Sequence, residues 1–333
     1  MKTYKATNTY IDTLSIRCVC DNKRQRDSLF NALIYDINER NIVAMKYNTE
    51  RSSKYYQITE LLLGNTKLAS IDRGYYANPK AIVHPDYYYI NINFYGLKRY
   101  NTKKDKASLY LVRTITAFLN TYHIDFQLTE LDIAMDVESK MDNILAVCIS
   151  RSPNVNYYQL GDTDQDKNVI QENRGTYYME NFQSLKQKKN AMSRAYLYDK
   201  REKELSKYGR DIGFEITRYE VKLQKRWFVK NEFGIMPIYK ALQKYAVLEF
   251  KDINQKEQLI KKLNNVKKSR QRRKLIDDAV KSNNAVLHTQ KMNNVGSFLR
   301  EIDTIKFNAQ GEFVFTKHED YLECMSKFNR NTK

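Results

Sequence analysis

The stretch SRAYLYDKREKEL, Ser193–Leu205, alternates polar and apolar residues and predicts a β-strand that leads into a charged segment. Successive residues of a strand face opposite sides of the sheet, so Ala195 and Leu197 point into a core. The other face then carries Arg194, Tyr196, Tyr198 and Lys200. A phenol flanked by cations can attack a phosphodiester, because the cations offset the phosphate charge and lower the pKa of the phenol.

Two further segments predict strands with acids on one face and apolar residues on the other. In Thr129–Asp136 the acids include Asp132 and Asp136, and in Phe214–Leu223 Glu220 shares a face with two cations. Carboxylates that converge from neighbouring strands form an oxygen-rich site suited to Mg2+ or Mn2+. The candidate ligands are Asp132, Glu220 and Asp136. About 13 Å of strand separates Asp132 from Asp136, so the two are not expected to bind one ion together. Asp132 is the better ligand if Asp136 ends the strand.

Both patterns have a structural alternative. Acids that alternate along a strand commonly form a solvated face with cross-strand pairs, and Arg218 or Lys222 would satisfy such acids. In a chain with 26 tyrosines, a Tyr-x-Tyr pattern is more typical of an ordinary core or surface strand. Residue types and spacing alone therefore favour the structural interpretation.

The balance of charge points to a polyanionic partner. Lysine and arginine outnumber aspartate and glutamate by 57 to 39, for a formal net charge of +18. Nucleic acid is the leading candidate. The charge is concentrated in Lys261–Lys274, where the predicted DNA contacts are Lys267, Lys268, Arg270, Arg272 and Arg273. A solvated helix face is the alternative explanation of this run.

Apolar runs and cysteines place the chain among cytoplasmic proteins. No apolar run approaches the ~18 residues that span a bilayer, so no membrane partner is expected. The N-terminal MKTYKATNTYID lacks the apolar region of a secretory signal. The four cysteines do not have zinc-ligand spacing, so we expect buried free thiols at Cys18, Cys20, Cys148 and Cys324.

Hydrophobic periodicity predicts an α+β fold with a largely antiparallel central sheet and helices on one face. The expected order is strand Tyr10–Cys20, helix to Asn38, strand Tyr87–Tyr95, helix Ala107–Asn120, strand Gln127–Asp136 and helix Met141–Cys148. The pattern strand–helix–strand occurs early and recurs, which suggests two βαβ-like halves.

Composition predicts two regions. Residues 1–236 form the expected main domain, in which the polar segment 152–190 is a loop or insertion around a strand at Thr176–Met179. The charged connector Arg201–Gly213 joins two strands. Residues 237–333 form a basic, mostly helical C-terminal segment, and a strand at Phe313–Thr316 is expected to close the chain.

One predicted strand has an unusual outer face. In YYYININFY, Tyr87–Tyr95, the side opposite the apolar residues carries tyrosine and asparagine rather than charged residues. Aromatic and amide groups suit stacking on bases and hydrogen bonding to their edges. A tyrosine-rich, half-exposed strand is the alternative.

The ordered motifs IDTLSI, FYGLKRYN, TELDIAMD, RAYLYDKREKE and ITRYEVKL resemble the replication initiation factor family. Members of that family are trans-acting initiators of rolling-circle replication in small plasmids and filamentous phages. The resemblance extends from about Tyr10 to Lys225, and the ordered combination of motifs carries it. It implies a fold like that of the HUH endonucleases without their usual histidine pair, and the four histidines of this chain are indeed dispersed.

The resemblance also implies roles for individual residues. The aspartate-containing strand of the family matches Asp132 and Asp136, and its last strand matches Arg218 and Glu220. The implied nucleophile is Tyr198, which directly precedes Asp-Lys, with Tyr196 as the second choice. The departures from the family pattern are Glu130 and Tyr196, which stand where the family has arginines, and Lys203, which replaces the expected glutamate.

The resemblance implies a metal-dependent enzyme that nicks and joins DNA at a replication origin. Tyr198 would attack a phosphodiester in a single-stranded or hairpin segment, leaving a 5′-phosphotyrosyl link and a free 3′-OH. Mg2+ or Mn2+ would be held by Asp132 with Glu220. The DNA backbone would be positioned by Arg194, Lys200, Arg218 and Lys222, and the basic C-terminal segment would grip the origin duplex.

The expected setting is the cytoplasm of a bacterial host, where the 3′-OH would prime a host polymerase. A host helicase and a second copy of the chain, in a homodimer, are further expected partners. The rival interpretation is a non-catalytic nucleic-acid-binding regulator of a phage or plasmid.

Overall fold

The chain is described by a computed structural model over residues 4–40, 43–48, 57–76, 87–149, 176–179, 191–231, 235–266 and 268–301. These residues fall into two compact units. Unit 1 holds the described residues of 1–10, 132–227 and 234–296. Unit 2 holds those of 11–131, 228–233 and 297–333. Both units are α+β with largely antiparallel strand pairing, as the sequence predicts.

Unit 2 is an antiparallel sheet packed against two helices, with the strand order β2-β3-β4-β5-β1. Its elements are β1 (Tyr4–Cys20, whose first residues belong to unit 1), α1 (Lys23–Glu39), β2 (Ala44–Asn48), β3 (Gln57–Leu63), β4 (Thr66–Tyr76), β5 (Tyr87–Phe94) and α2 (Thr102–Thr121). Asn22 and Asn101 cap the two helices, because their side chains accept hydrogen bonds from the backbone N–H groups of Gln25 and Lys104.

The core of unit 2 follows the predicted alternation. Ile90, Ile92 and Phe94 of β5 are fully buried beside Leu14 and Ile16 of β1. Both helices turn an apolar stripe toward the interior, which buries Leu29, Leu33, Ile37, Leu111, Val112 and Ile115. Cys18 and Cys20 are free and buried, and burial raises the pKa of both thiols, that of Cys20 to about 12.

Unit 1 contains two groups of strands. The first has the order β6-β10-β9-β8, and the second consists of β7, β11 and β12, with β12 paired in parallel to the start of β1. The elements are β6 (Gln127–Val137, whose first residues belong to unit 2), a 3-10 turn (Met141–Asn143), β7 (Ile144–Cys148), β8 (Thr176–Tyr178), β9 (Ser193–Asp199), α3 (Lys200–Tyr208), β10 (Thr217–Gln224), α4 (Lys225–Lys230), α5 (Ile235–Leu242), β11 (Tyr245–Phe250), α6 (Ile253–Asn264), α7 (Ser269–Lys281), β12 (Ala285–Lys291) and α8 (Asn293–Glu301). The last residues of α4 and α8 belong to unit 2.

The C-terminal part of unit 1 is built around its own apolar cluster. Residues of β7, β11, α6 and α7 form it, among them Leu145, Val147, Leu248, Phe250, Leu263, Ile276 and Val280. Because β11 pairs with β7, the units do not follow the predicted boundary between residues 236 and 237.

One prediction of secondary structure is wrong, and two other segments contain elements that the sequence did not predict. Met141–Cys148 is a short turn followed by the strand β7 rather than a helix, so the second βαβ-like half is not formed as predicted. The apolar run ILAVC is buried throughout, and such a run has no periodicity that separates helix from strand. The connector Arg201–Gly213 contains most of α3, and the C-terminal segment contains the strands β11 and β12.

Some predictions fall outside the described residues. These are most of the segment 152–190, the strand at Phe313–Thr316, Lys267 and Cys324. Within that segment, the described residues form β8, close to the predicted strand. Over the described ranges, no helix combines the length and hydrophobicity needed to span a bilayer.

Candidate active site

Three neighbouring strands of unit 1 bring the candidate catalytic side chains together. β10 lies between β6 and β9, and its register with β9 pairs Glu220 with Tyr196 and Arg218 with Tyr198. Asp132 lies on β6, next in the sheet. Two carboxylates and two phenols from three separate sequence motifs therefore share one small region of the sheet.

Tyr198 is buried and paired with Glu220. Its side chain is only 2% exposed, and its hydroxyl donates a hydrogen bond of 2.5 Å to Oε1 of Glu220. The ammonium group of Lys203 lies 3.8 Å from the centroid of the Tyr198 ring. In this arrangement the Tyr198 hydroxyl is enclosed in the interior and engaged by Glu220.

Tyr196 is the less buried of the two phenols. Its hydroxyl donates a hydrogen bond of 3.4 Å to Oδ2 of Asp132. The same carboxylate oxygen forms an ion pair with Lys222, whose Nζ lies 3.0 Å away. Burial raises the pKa of Tyr196 well above its ordinary value, and the carboxylates of Asp132 and Glu220 raise it further. The predicted lowering of the phenol pKa is therefore wrong for Tyr196, and its proton needs a base.

Arg218 and Asp136 form the interior anchor of the site. Arg218 is fully buried and donates to both carboxylate oxygens of Asp136, at 2.7 and 2.8 Å. Its Nη1 lies 3.7 Å from Oε1 of Glu220. Both oxygens of Asp136 are thus occupied by a guanidinium, and Asp136 holds Arg218 in place.

Tyr10 completes this anchor and was not among the sequence candidates. Its hydroxyl accepts a hydrogen bond of 2.7 Å from Nη2 of Arg218 and donates one to Oδ2 of Asp136. The sequence signal was only its position at the start of a predicted strand. Its partners lie 126 and 208 positions away along the chain, so only the folded sheet connects them.

Two of the predicted phosphate contacts are buried and paired. Lys200 forms an ion pair of 2.7 Å with Glu204, one turn along α3, and Arg218 is bound to Asp136. The chain leaves the strand face at Asp199, whose side chain caps α3 by accepting from the N–H of Glu202. Both cations are therefore engaged by acids in the interior, which counts against the phosphate contacts predicted for them.

Arg194 remains a candidate contact. It lies opposite Lys222 in the register of β9 and β10 and is half-buried. Its Nε is buried and has no hydrogen-bond partner among the described residues. Arg194 and Lys222 therefore place two cations at one end of the row that holds Tyr196.

The acids of the site can be compared with the needs of a divalent cation. Among the described residues, no cluster of three or more histidine, cysteine, aspartate and glutamate side chains is arranged to hold a metal ion. Asp132 and Glu220 both act on the phenol of Tyr196, and Mg2+ is commonly held by one or two carboxylates plus substrate phosphates. Asp132 and Glu220 are therefore the residues that would hold such an ion, and Lys222 would compete with it for Asp132.

The basic residues of helix α7 lie partly on the surface and partly in the interior. Lys268, which precedes it, and Arg270 and Arg273 are exposed, as DNA contacts require. Arg272 is only 2% exposed and shares the helix face of Ile276 and Val280, so its burial counts against the predicted DNA contact. Within the described part of the chain its Nε and Nη1 have no hydrogen-bond partner, and burial lowers the pKa of its guanidinium.

No protein-family model and no curated protein matches the chain. Among solved structures, the rolling circle replication initiator protein from Geobacillus stearothermophilus matches with 11% sequence identity and a TM-score of 0.35. The match covers 74% of this chain and 88% of the other. Similarity at this level carries no argument about function.

Proposed function

We propose that this protein nicks and joins DNA strands through a phosphotyrosine intermediate and thereby initiates rolling-circle replication of a plasmid or phage. The observation that carries the proposal is the position of Tyr196, whose hydroxyl lies 3.4 Å from Asp132 in a site with Glu220 and Lys222. The sequence resemblance of the same three strands supports the same reaction.

Tyr196 is the proposed nucleophile, in place of Tyr198. Both phenols lie on β9, but Tyr198 is buried and committed to Glu220. Tyr196 is partly exposed and has Asp132 as a base. A tyrosine is protonated at neutral pH, and the raised pKa of Tyr196 makes its proton harder still to remove, so the reaction needs a neighbouring carboxylate to accept that proton.

The proposed reaction conserves bonds and protons. The Tyr196 hydroxyl transfers its proton to Asp132 while its oxygen bonds to phosphorus, and the bond from phosphorus to the 3′ oxygen breaks. Lys222 donates a proton to the departing 3′ oxygen, and Asp132, 3.0 Å away, returns one to Lys222. The products are a 5′-phosphotyrosyl ester and a free 3′-OH. One phosphoester replaces another, so the reverse reaction joins strands.

Asp132 and Glu220 would hold a divalent cation, Mg2+ or Mn2+, together with oxygens of the DNA phosphate. When bound, the ion supplies a Lewis acid that offsets the negative charge developing on the phosphate. Arg218 would act indirectly, because it fixes Asp136 and faces Glu220 from 3.7 Å. Lys222 and Arg194 would contact the DNA backbone beside the reacting phosphate.

The exposed charges of α7 would bind the origin duplex. Lys268, Arg270 and Arg273 offer three cations to phosphates, and such binding weakens as salt increases. The free 3′-OH would then prime a host polymerase in the bacterial cytoplasm.

The test is covalent capture of DNA. The full-length protein is incubated with single-stranded oligonucleotides that tile the replicon encoding it, with Mn2+ or Mg2+, and the products are separated under denaturing conditions. The expected result is a DNA–protein adduct that mass spectrometry maps to Tyr196. Tyr196→Phe should abolish it, whereas the matched control Tyr198→Phe should retain it.

Other outcomes are equally informative. An adduct that disappears in Tyr198→Phe alone would show that the assignment of the nucleophile is wrong. No adduct with either metal, on any oligonucleotide, would contradict the enzyme and favour a DNA-binding regulator. One observation favours that regulator, namely that the carboxylates of the site are already engaged by Lys222, Arg218 and Tyr198.

A further inference from the structure

The sheet of unit 2 has two chemically different faces. α1 lies over one of them, where its Phe30 ring has the guanidinium of Arg73 at 4.7 Å. The register places Arg73 beside Ile90, so the helix covers the apolar face. The opposite face crosses β4, β5 and β1, and we call it the polar sheet face. It carries Ser70, Asp72, Gly74, Tyr89, Asn91, Asn93 and Arg17.

Gly74 allows the Tyr89 ring to lie flat on this face. The two residues are partners in the register of β4 and β5. A Cβ atom built on Gly74 would lie 2.4 Å from Cζ of Tyr89, far inside van der Waals contact. Any side chain at position 74 would therefore lift the ring off the sheet. Glycine in a strand interior weakens the strand, so a close approach of this kind gives it a reason to be there.

Arg17 forms a second planar layer above the ring. Its guanidinium carbon lies 4.7 Å from the centroid of Tyr89. Its Nε donates a hydrogen bond of 2.7 Å to Oδ1 of Asn91, which orients the guanidinium plane. Both Arg17 and Tyr89 are half-buried, so the stack is neither enclosed in the core nor free in solvent.

A second amide beside the stack is also held in place. Nδ2 of Asn93 donates to Oδ2 of Asp72 at 3.1 Å and to Oγ of Ser70 at 3.3 Å. Asp72 is only 6% exposed, so its charge is largely covered by its neighbours. The half-buried cation Arg17 is therefore presented more openly than the acid of the polar sheet face.

We infer that the polar sheet face binds the bases of single-stranded DNA. Unpaired bases stack on aromatic rings and on arginine planes, and oriented amides hydrogen-bond to their edges. A duplex hides the flat surfaces of its bases, so this chemistry selects a single strand. The net charge of +18 favours a polyanionic ligand. The inference goes beyond the proposed nicking reaction, because unit 2 holds none of the residues assigned to it.

The experiment measures binding without cleavage. Fluorescence anisotropy is recorded for the full-length Tyr196→Phe protein, in EDTA, with a labelled single-stranded DNA of about 16 nucleotides. Arg17→Ala is expected to weaken binding roughly tenfold. Its matched control, Arg24→Ala, removes the same charge from an exposed position on α1 and should bind as the parent does.

A second variant separates stacking from charge. Gly74→Ala keeps the charge of the protein and is expected to displace the Tyr89 ring, so it should also weaken binding to single-stranded DNA. Thermal unfolding identifies any variant that has lost its fold. If Gly74→Ala does not fold, Asn91→Ala is used in its place.

Three results would overturn the inference. These are equal affinity of Arg17→Ala and Arg24→Ala for the single strand, an equal loss of duplex binding in Arg17→Ala, and tighter binding of an RNA oligonucleotide of the same sequence. Failure of the covalent adduct assay with this binding intact would count against the proposed nicking function alone.

Discussion

Tyr198 donates a hydrogen bond of 2.5 Å to Glu220, and the two side chains are only 2% and 3% exposed. This pair is the interior end of a row that continues through Tyr196 to Asp132 and Lys222. The row joins side chains that are well separated along the chain, and its inner and outer ends have different solvent access. Different consequences follow for substitutions at the two ends.

Tyr198→Phe should destabilise the protein by about 1.5–3 kcal/mol, because a buried hydrogen bond to a charged group is lost. Tyr196→Phe is the matched control. It should lower the free energy of unfolding by less, since the hydrogen bond from Tyr196 to Asp132 is longer and less buried. Urea denaturation of both variants measures the difference. Equal losses would mean that the shorter bond makes no greater contribution.

Arg218→Met should destabilise unit 1 by about 3–5 kcal/mol, because Asp136 keeps a buried charge without its cation. The double variant Arg218→Met with Asp136→Asn removes both charges and should be more stable than the single variant. Denaturation of the two single variants and the double variant gives the coupling energy. If the losses of stability in the two single variants simply add up to that of the double variant, Arg218 and Asp136 do not stabilise each other as proposed.

Arg272→Met should stabilise the protein by about 1–2 kcal/mol, because it removes buried donors that have no hydrogen-bond partner and adds an apolar side chain to the cluster. DNA affinity should remain unchanged at every salt concentration. A loss of stability would show that the buried Arg272 stabilises the fold, and a shallower dependence of DNA affinity on salt would show that it contacts DNA. Either result would contradict the prediction.

Arg270→Ala and Arg273→Ala should instead reduce the salt dependence of duplex binding. Each phosphate contact adds roughly 0.9 to the magnitude of the slope of log affinity against log salt. The slope of the double variant should therefore be smaller in magnitude by about 2. Both side chains are exposed, and stability should stay within about 0.5 kcal/mol of the parent. An unchanged slope would show that α7 does not contact the DNA.

Asp125 should make unit 2 more stable in mild acid than at neutral pH. Burial raises its pKa from 3.8 to about 6, and one of its oxygens is buried without a hydrogen-bond partner. A raised pKa in the folded state contributes stability below the ordinary pKa, and this stability is lost as pH rises through about 6.

The control for this effect is Asp125→Asn, which cannot ionise. It should be more stable than the parent by about 1–2 kcal/mol at neutral pH, which is less than the full pKa difference implies because solvent screens this half-buried carboxylate, and close to the parent below about pH 4. Thermal unfolding across this range gives the comparison. If the thermal stability of parent and variant changes with pH in the same way, Asp125 is not the cause of the pH dependence.

Much of the strand architecture was predictable because alternation is a local property. The faces of β5, β6, β9 and β10 follow directly from which residues are apolar, since the side-chain period of a strand is two. Helices α1 and α2 were predictable for the same reason at a period of 3.6. The run ILAVC in β7 has neither period, and the helix predicted there was wrong.

Helix α3 carried local signals that the charge density of its segment obscured. Asp199 caps its start, and Gly209 ends it with φ of +61°, a conformation that glycine adopts without strain. The beginning of this helix takes Lys200 off the strand face. The strand period, extended by one residue, therefore placed Lys200 wrongly.

The sequence by itself determined which residues share a face of each strand, and hence which phenols, carboxylates and cations were available to a site. Only the tertiary structure decided which strands are neighbours, that Tyr10 joins Arg218 and Asp136, and that Tyr198 lies deeper than Tyr196. The physical reason is that side-chain direction depends on backbone geometry over a few residues. Strand order and depth of burial depend instead on packing between segments that are far apart in the chain, such as those of Tyr10 and Arg218, which lie 208 positions apart.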